Sequence, residues 1–167
     1  MLVRLLYASR AVAEIGGDLI DEILNRSQAH NPEHGITGVL CYGGDVFMQV
    51  LEGGRAPVNA LYNRIVRDER HRQVMLLHYQ EIAERRFGGW TMGQVNLARI
   101  NQSLLLKYLE KPELDPFSVP GCASLALLTG ADVWRSAYLG SLAAACQVGR
   151  IGNVPLTAAD IIAEIDI

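Results

Sequence analysis

The stretch Val46–Leu51, VFMQVL, constrains this chain more than any other. Read as a strand, it sends Val46, Met48 and Val50 to one face and Phe47, Gln49 and Leu51 to the other. Both faces are apolar except at Gln49. A carboxamide there carries two donors and two acceptor sites, and leaving it unpaired costs on the order of 1–3 kcal/mol. Something polar therefore stands opposite Gln49: another side chain, the backbone, or a bound ligand.

A chain of 167 residues suits one domain, or one domain with a substantial extension. Half of its residues are apolar and a fifth charged, enough to bury a sizeable core. A net charge of −3 provides no general attraction to nucleic acid or an anionic membrane. No secretory signal opens the chain, and no apolar run is long enough to span a bilayer. Cys41, Cys122 and Cys146 are widely spaced, lack metal-type pairing, and read as small buried hydrophobes. The expectation is a cytoplasmic protein without a metal site, and without nucleic acid or membrane as a partner.

Leu2–Ala8 is a strand-length apolar run bounded by Ser9-Arg10, with Val3, Leu5 and Tyr7 on one face. Taken alone, Tyr7 reads as a structural tyrosine bonded to backbone. Gly16-Gly17-Asp18 opens a helix with an apolar stripe through Leu19, Ile20, Ile23 and Leu24, and Asn31-Pro32 ends it. Thr37–Tyr42 is a strand, Gly43-Gly44 a hairpin turn, and Asp45–Glu52 the next strand. Gly53-Gly54 breaks the chain before a second helix with Pro57 in its first turn and a stripe of Val58, Leu61, Tyr62 and Ile65. Strands over Gln73–Ile82 and Trp90–Val95 follow, with Trp90 and Met92 pointing the same way.

This order, β-α-β-β-α-β-β, predicts an α+β fold: a ferredoxin-like sheet with two helices on one face and an extra strand. Its first and third strands are central neighbours, so Tyr7 and Gln49 can meet beneath the helices. Two polar groups in one apolar site favour a ligand pocket, with Asn31 at its rim.

Tyr7, His30-Asn31, Ile36-Thr37-Gly38, Phe47–Gly53 (FMQVLEG), Arg70-His71 and Gly89–Met92 (GWTM) together resemble BLUF domains, the blue-light sensors that use FAD. The resemblance covers residues 1–96. It implies that Tyr7 is the electron- and proton-donating tyrosine, and that Gln49 bridges its hydroxyl to the flavin. Asn31 then hydrogen-bonds the pyrimidine side, Ile23 and Ile65 sandwich the ring, and Arg70 and His71 lie near the flavin and its side chain. Trp90 and Met92 are the pair linked to signal output. A flat ring with apolar faces and a polar edge suits aliphatic walls and a few placed amides, and the cofactor carries the chemistry.

Other polar residues admit plainer readings. His30 is a helix-end residue or touches the cofactor rim, while His34 and His78 lack clustered partners. Arg64, Arg67, Arg70 and Arg72 form a solvated basic face or help neutralise the FAD diphosphate. The glycine pairs read as turns, with no phosphate-binding fingerprint. Trp134 reads as structural.

Residues 97–167 form a helical extension. Leu104, Leu105, Tyr108 and Leu109 indicate a helix before Pro112, and Pro120-Gly121 lies in an irregular connection. Thr129–Asp132 caps a helix bearing Trp134, Tyr138, Leu142 and Ala145. These helices are expected to cover the sheet face bearing Leu6, Met48 and Val50, or to join subunits. The chain thus reads as a photoreceptor rather than an enzyme, forming a homo-oligomer and signalling to a separate protein. The alternative is a photochemically silent ligand-binding or oligomerisation module.

Overall fold

The structure is a computed structural model that describes residues 1–97, 103, 105, 106, 110, 111 and 115–129. In chain order it forms β1 (Leu2–Ala11), α1 (Gly17–His30), β2 (Thr37–Gly43), β3 (Val46–Gly54), α2 (Arg55–Val66), β4 (His71–Ile82) and β5 (Gly93–Asn96). A further helix, α3, spans Gly121–Thr129, and a 3-10 turn at Pro32–His34 joins α1 to β2. The strands form one sheet in the order β4-β1-β3-β2-β5. All neighbours are antiparallel except β2 and β5, which are parallel. This is the expected ferredoxin-like arrangement, with β1 and β3 at the centre.

Alternation along the strands divides the core in two. Val3, Leu5 and Tyr7 of β1, with Phe47 and Leu51 of β3, lie beneath Ile20 and Leu24 of α1 and Val58 of α2. On the opposite face Leu6, Met48 and Val50 join Val39, Cys41, Phe87, Val95 and Leu128. Covering on both faces explains why β1 and β3 read as nearly continuous apolar runs.

Part of the second cover is α3, which begins at Gly121, at the end of the expected irregular connection, and runs through residues the sequence leaves unassigned. Its residues, GCASLALLT, are apolar almost all round and show no one-sided stripe. Leu127 and Leu128 are fully buried. A Cβ on Gly121 would overlap the Leu77 carbonyl of β4, so glycine permits this close approach. Thr129 is the last residue of α3, and the helix expected to follow its capping box lies outside the described residues. Of the helix expected before Pro112, Ser103, Leu105 and Leu106 are helical and Leu105 is buried; Tyr108, and the helix expected at Trp134, lie outside the described residues. Cys41 is buried as expected, Cys122 is exposed on α3, contrary to expectation, and Cys146 lies outside the described residues.

Several boundaries differ from the sequence reading because polar residues find partners inside the sheet. β1 continues past Ser9-Arg10: Ser9 is buried against His71, and Arg10 pairs with Asp45 at 2.8 Å. β4 begins at His71, two residues earlier than expected, because it continues this pairing with β1. The hairpin turns at Gly44-Asp45, and Gly53-Gly54 stay within β3, opposite Val3 and Leu2.

Candidate functional site

Tyr7 and Gln49 are direct cross-strand partners on β1 and β3, and both side chains face the helices. The Tyr7 hydroxyl donates to Gln49 Oε1 at 2.6 Å. Gln49 Nε2 donates in turn to the Met92 sulfur at 3.2 Å. What stands opposite the buried carboxamide is therefore a phenol on one side and a thioether on the other. The thioether is a weak acceptor, so the second bond is the more easily exchanged.

Above this pair a cleft of about 260 Å³ opens between α1 and α2. Tyr7, Leu40, Phe47 and Gln49 form its floor. Ile23 and Asn31 line the α1 side, and Leu61, Arg64 and Ile65 the α2 side. Arg70 and His71 line it from the loop after α2 and the start of β4. All seven residues assigned from the sequence to the ligand site thus share one cavity.

Several polar groups in the cleft are held by neighbours. Asn31 is buried where α1 meets its 3-10 turn, and its Nδ2 donates to the Thr91 carbonyl at 2.9 Å. Arg70 spans Asp68, at 2.6 Å, and Glu22 of α1, at 3.0 Å. The Arg70 hydrogen bond holds the Asp68 carboxyl down at about 2, and the same bond raises the Arg70 guanidinium above its ordinary value. His71 shares a 2.8 Å hydrogen bond with Ser9 Oγ, stacks obliquely near Phe47, and is pushed below its ordinary pKa by burial. Burial first, then Tyr62 and Asp68, drives the Tyr7 hydroxyl far above the usual phenol range. Tyr7 is therefore a protonated donor throughout the neutral range.

The expected alignment of Trp90 with Met92 does not occur. β5 begins only at Gly93, and the two residues lie on the irregular connection before it. Met92 is buried against Gln49, whereas Trp90 is 41% exposed. The indole lies where a Cβ on Gly93 would be, so the missing side chain lets Trp90 fold back beside its own strand. Period-2 alternation fails because this segment is not a strand.

Sequence reasoning missed Ser9, Asp68 and the Thr91 carbonyl as partners within the site. It also missed a buried ion pair on the other sheet face, Arg4 Nε to Glu52 Oε1 at 2.6 Å. Arg4 and Glu52 each interrupt an apolar strand, and their opposite charges were the available signal. His34 meets the His30 carbonyl and His78 the Gln80 carboxamide, each at 3.0 Å, and among the described residues no group of His, Cys, Asp and Glu could hold a metal ion. No described helix is long and apolar enough to cross a membrane.

The donor set fits a flat aromatic ligand with a polar edge and an anionic tail. Aliphatic Ile23, Leu61 and Ile65 line its walls, the Gln49 and Asn31 carboxamides supply its hydrogen-bonding groups, and Arg26 and Arg64 add positive charge.

Comparison with known proteins identifies that ligand. The family model for sensors of blue-light using FAD, BLUF, matches residues 2–93. The chain is 32% identical over 88 residues to the blue light- and temperature-regulated antirepressor BluF of Escherichia coli (strain K12), covering 53% of this chain and 22% of that protein. It is 33% identical over 92 residues to photoactivated adenylate cyclase subunit beta of Euglena longa, covering 54% of this chain and 11% of that one. Each of these relatives is thus matched over only a small part of its length. Among solved structures, the photo-activated state of BlsA superposes with a TM-score of 0.67 at 30% identity, covering 77% of this chain and 92% of that one. The dark-state structure of BlrB gives 0.60 at 31% identity, with the same coverage of each chain. With more than half its length matched and a cleft whose side chains suit a flavin, the chain belongs to the BLUF family of blue-light sensors that use FAD.

Proposed function

We propose that Tyr7 and Gln49 carry the light response, and that it leaves the domain through the Met92 segment to a separate protein. The observation that carries this reading is the unbroken line from the Tyr7 hydroxyl through both ends of the Gln49 carboxamide to the Met92 sulfur. FAD supplies light absorption and, when excited, a strong oxidant. Tyr7 would give an electron to the excited FAD and its hydroxyl proton to Gln49 Oε1 along their 2.6 Å bond, with Gln49 passing a proton on to the reduced flavin. Gln49 accepts and donates at once, so rearranging its carboxamide exchanges the group offered to Met92. That exchange signals only if it alters the relative free energy of two arrangements of the segment.

Around this pair, Ile23 and Ile65 hold the ring between the helices, and Asn31 offers its amide oxygen to a ring N–H. Its nitrogen is already used on Thr91. Arg70 and His71 border the ring and its side chain, while Arg26 and Arg64 balance the diphosphate. Residues 1–96 act as the sensor and 97–167 as the assembly and output region of a cytoplasmic homo-oligomer. In this reading the BLUF domain is a sensor and not itself an enzyme.

The test is the visible spectrum of the purified protein before and after blue light. A yellow protein with a reversible, small red shift supports the reading. Colourless protein that takes up no added FAD would contradict it.

A further inference from the structure

Arg4 and Glu52 face each other across β1 and β3, as Tyr7 and Gln49 do three residues further along. Three is an odd step, so strand alternation puts the two pairs on opposite faces of the sheet. Both nevertheless reach the same connection, residues 83–92 between β4 and β5. Gln49 holds its far end through Met92. At its middle, Glu52 Oε2 accepts the Phe87 backbone N–H at 2.9 Å, while Oε1 accepts from Arg4. Glu52 is fully buried, and Arg4 nearly so.

A carboxylate completely removed from water is costly unless paired and fully hydrogen-bonded. Here one oxygen is neutralised by a guanidinium, and the other is spent on a single backbone amide of the connection. The Phe87 side chain enters the second core beside Leu128 of α3. Arg85 adds bonds to Thr37 Oγ1 and the Glu52 carbonyl, both at 3.0 Å. The connection is thus clamped at its middle by a charge-assisted bond, while at its end the Gly38 amide and Asn31 hold the Trp90 and Thr91 carbonyls and the Met92 side chain keeps only a weak sulfur contact.

We propose that Arg4 and Glu52 are positioning residues of the light response. By fixing Phe87, they confine motion to the Trp90–Met92 end and set the barrier for its return. This rests on the reading of Gln49 and Met92 given above. Neither residue touches the cleft, so FAD binding is not expected to depend on them.

The test compares the parent with Arg4→Met/Glu52→Leu, which replaces the pair by apolar groups and avoids a lone buried charge. Arg4→Lys keeps the charge, and Val50→Ala on the same sheet face controls for lost stability alone. Hydrogen exchange in the dark is expected to rise by about tenfold at the Phe87 amide in the double variant, the scale of a lost hydrogen bond to a charged group. Recovery from the lit state is expected to accelerate by about as much, since each 1.4 kcal/mol of barrier is tenfold in rate. Arg4→Lys should stay near the parent in both readouts, and Val50→Ala should leave recovery unchanged. Exchange and recovery that match the parent would overturn the proposal. So would faster exchange with unaltered recovery, or recovery altered equally in Val50→Ala. A parent without any light shift would contradict the reading of Tyr7 and Gln49 instead, and dark exchange would still decide whether the pair anchors Phe87.

Discussion

Gln49 on β3 joins Tyr7 on β1 to Met92 outside the sheet, using its oxygen for the first and its nitrogen for the second. A carboxamide accepts at one end and donates at the other without carrying a charge. In the function proposed above, Met92 is the first residue beyond the cleft to register a change at Gln49.

Met92→Leu tests that step. The two side chains have similar volumes, so the swap should cost less than about 1.5 kcal/mol and preserve FAD binding. Without the sulfur, Gln49 Nε2 loses its acceptor, and the lifetime of the lit state should change. Trp90→Phe, at an exposed position, should leave the spectrum nearly unaltered and affect output instead. Flash photolysis of both variants distinguishes the two roles, and identical lifetimes in Met92→Leu and the parent would detach Met92 from the photocycle.

Leu51→Ala tests the packing beneath the helices. Leu51 is fully buried in the cluster that includes Tyr7 and Phe47. Its truncation should cost about 2–5 kcal/mol, measured by urea unfolding of the FAD-loaded protein. A loss under about 1 kcal/mol would mean that this face collapses around the gap.

Acid stability should depend on Asp68. Its folded-state pKa is depressed to about 2, mainly by the Arg70 hydrogen bond. A depressed carboxyl adds stability that is complete above its unfolded value, about 4, and is lost as pH falls toward the folded one. The parent should therefore exceed Asp68→Asn in thermal midpoint above pH 4, and the difference should shrink toward pH 2. A difference independent of pH over that range would rule out the ion pair as its source.

Much of this was legible in the sequence because it is periodic. Alternation in VFMQVL put Gln49 on the same face as Phe47 and Leu51, and the helix stripes placed Ile23 and Ile65 over it. The β-α-β-β-α-β order then brought Tyr7 beside Gln49. The misreadings share a cause: they concern segments whose shape is decided by partners distant in sequence. Trp90 was aligned with Met92 by assuming a strand, but the Gly38 amide bonds the Trp90 carbonyl and Asn31 bonds that of Thr91. Those bonds hold the segment outside the ladder. α3 escaped notice because uniformly apolar residues show no helical period, only a demand for burial. Arg4 and Glu52 were visible as charges on buried strands, yet their register across β1 and β3 was needed to pair them.

The most direct measurement is the light-minus-dark absorption spectrum of Tyr7→Phe beside the parent. The substitution removes one hydroxyl from an otherwise similar ring and leaves Gln49 Oε1 without its donor, at a cost of about 1–3 kcal/mol. It should retain FAD and lose the reversible red shift, and Gln49→Leu should do the same by removing the relay. A Tyr7→Phe protein that binds FAD and shifts like the parent would contradict the assignment of Tyr7 as the donor.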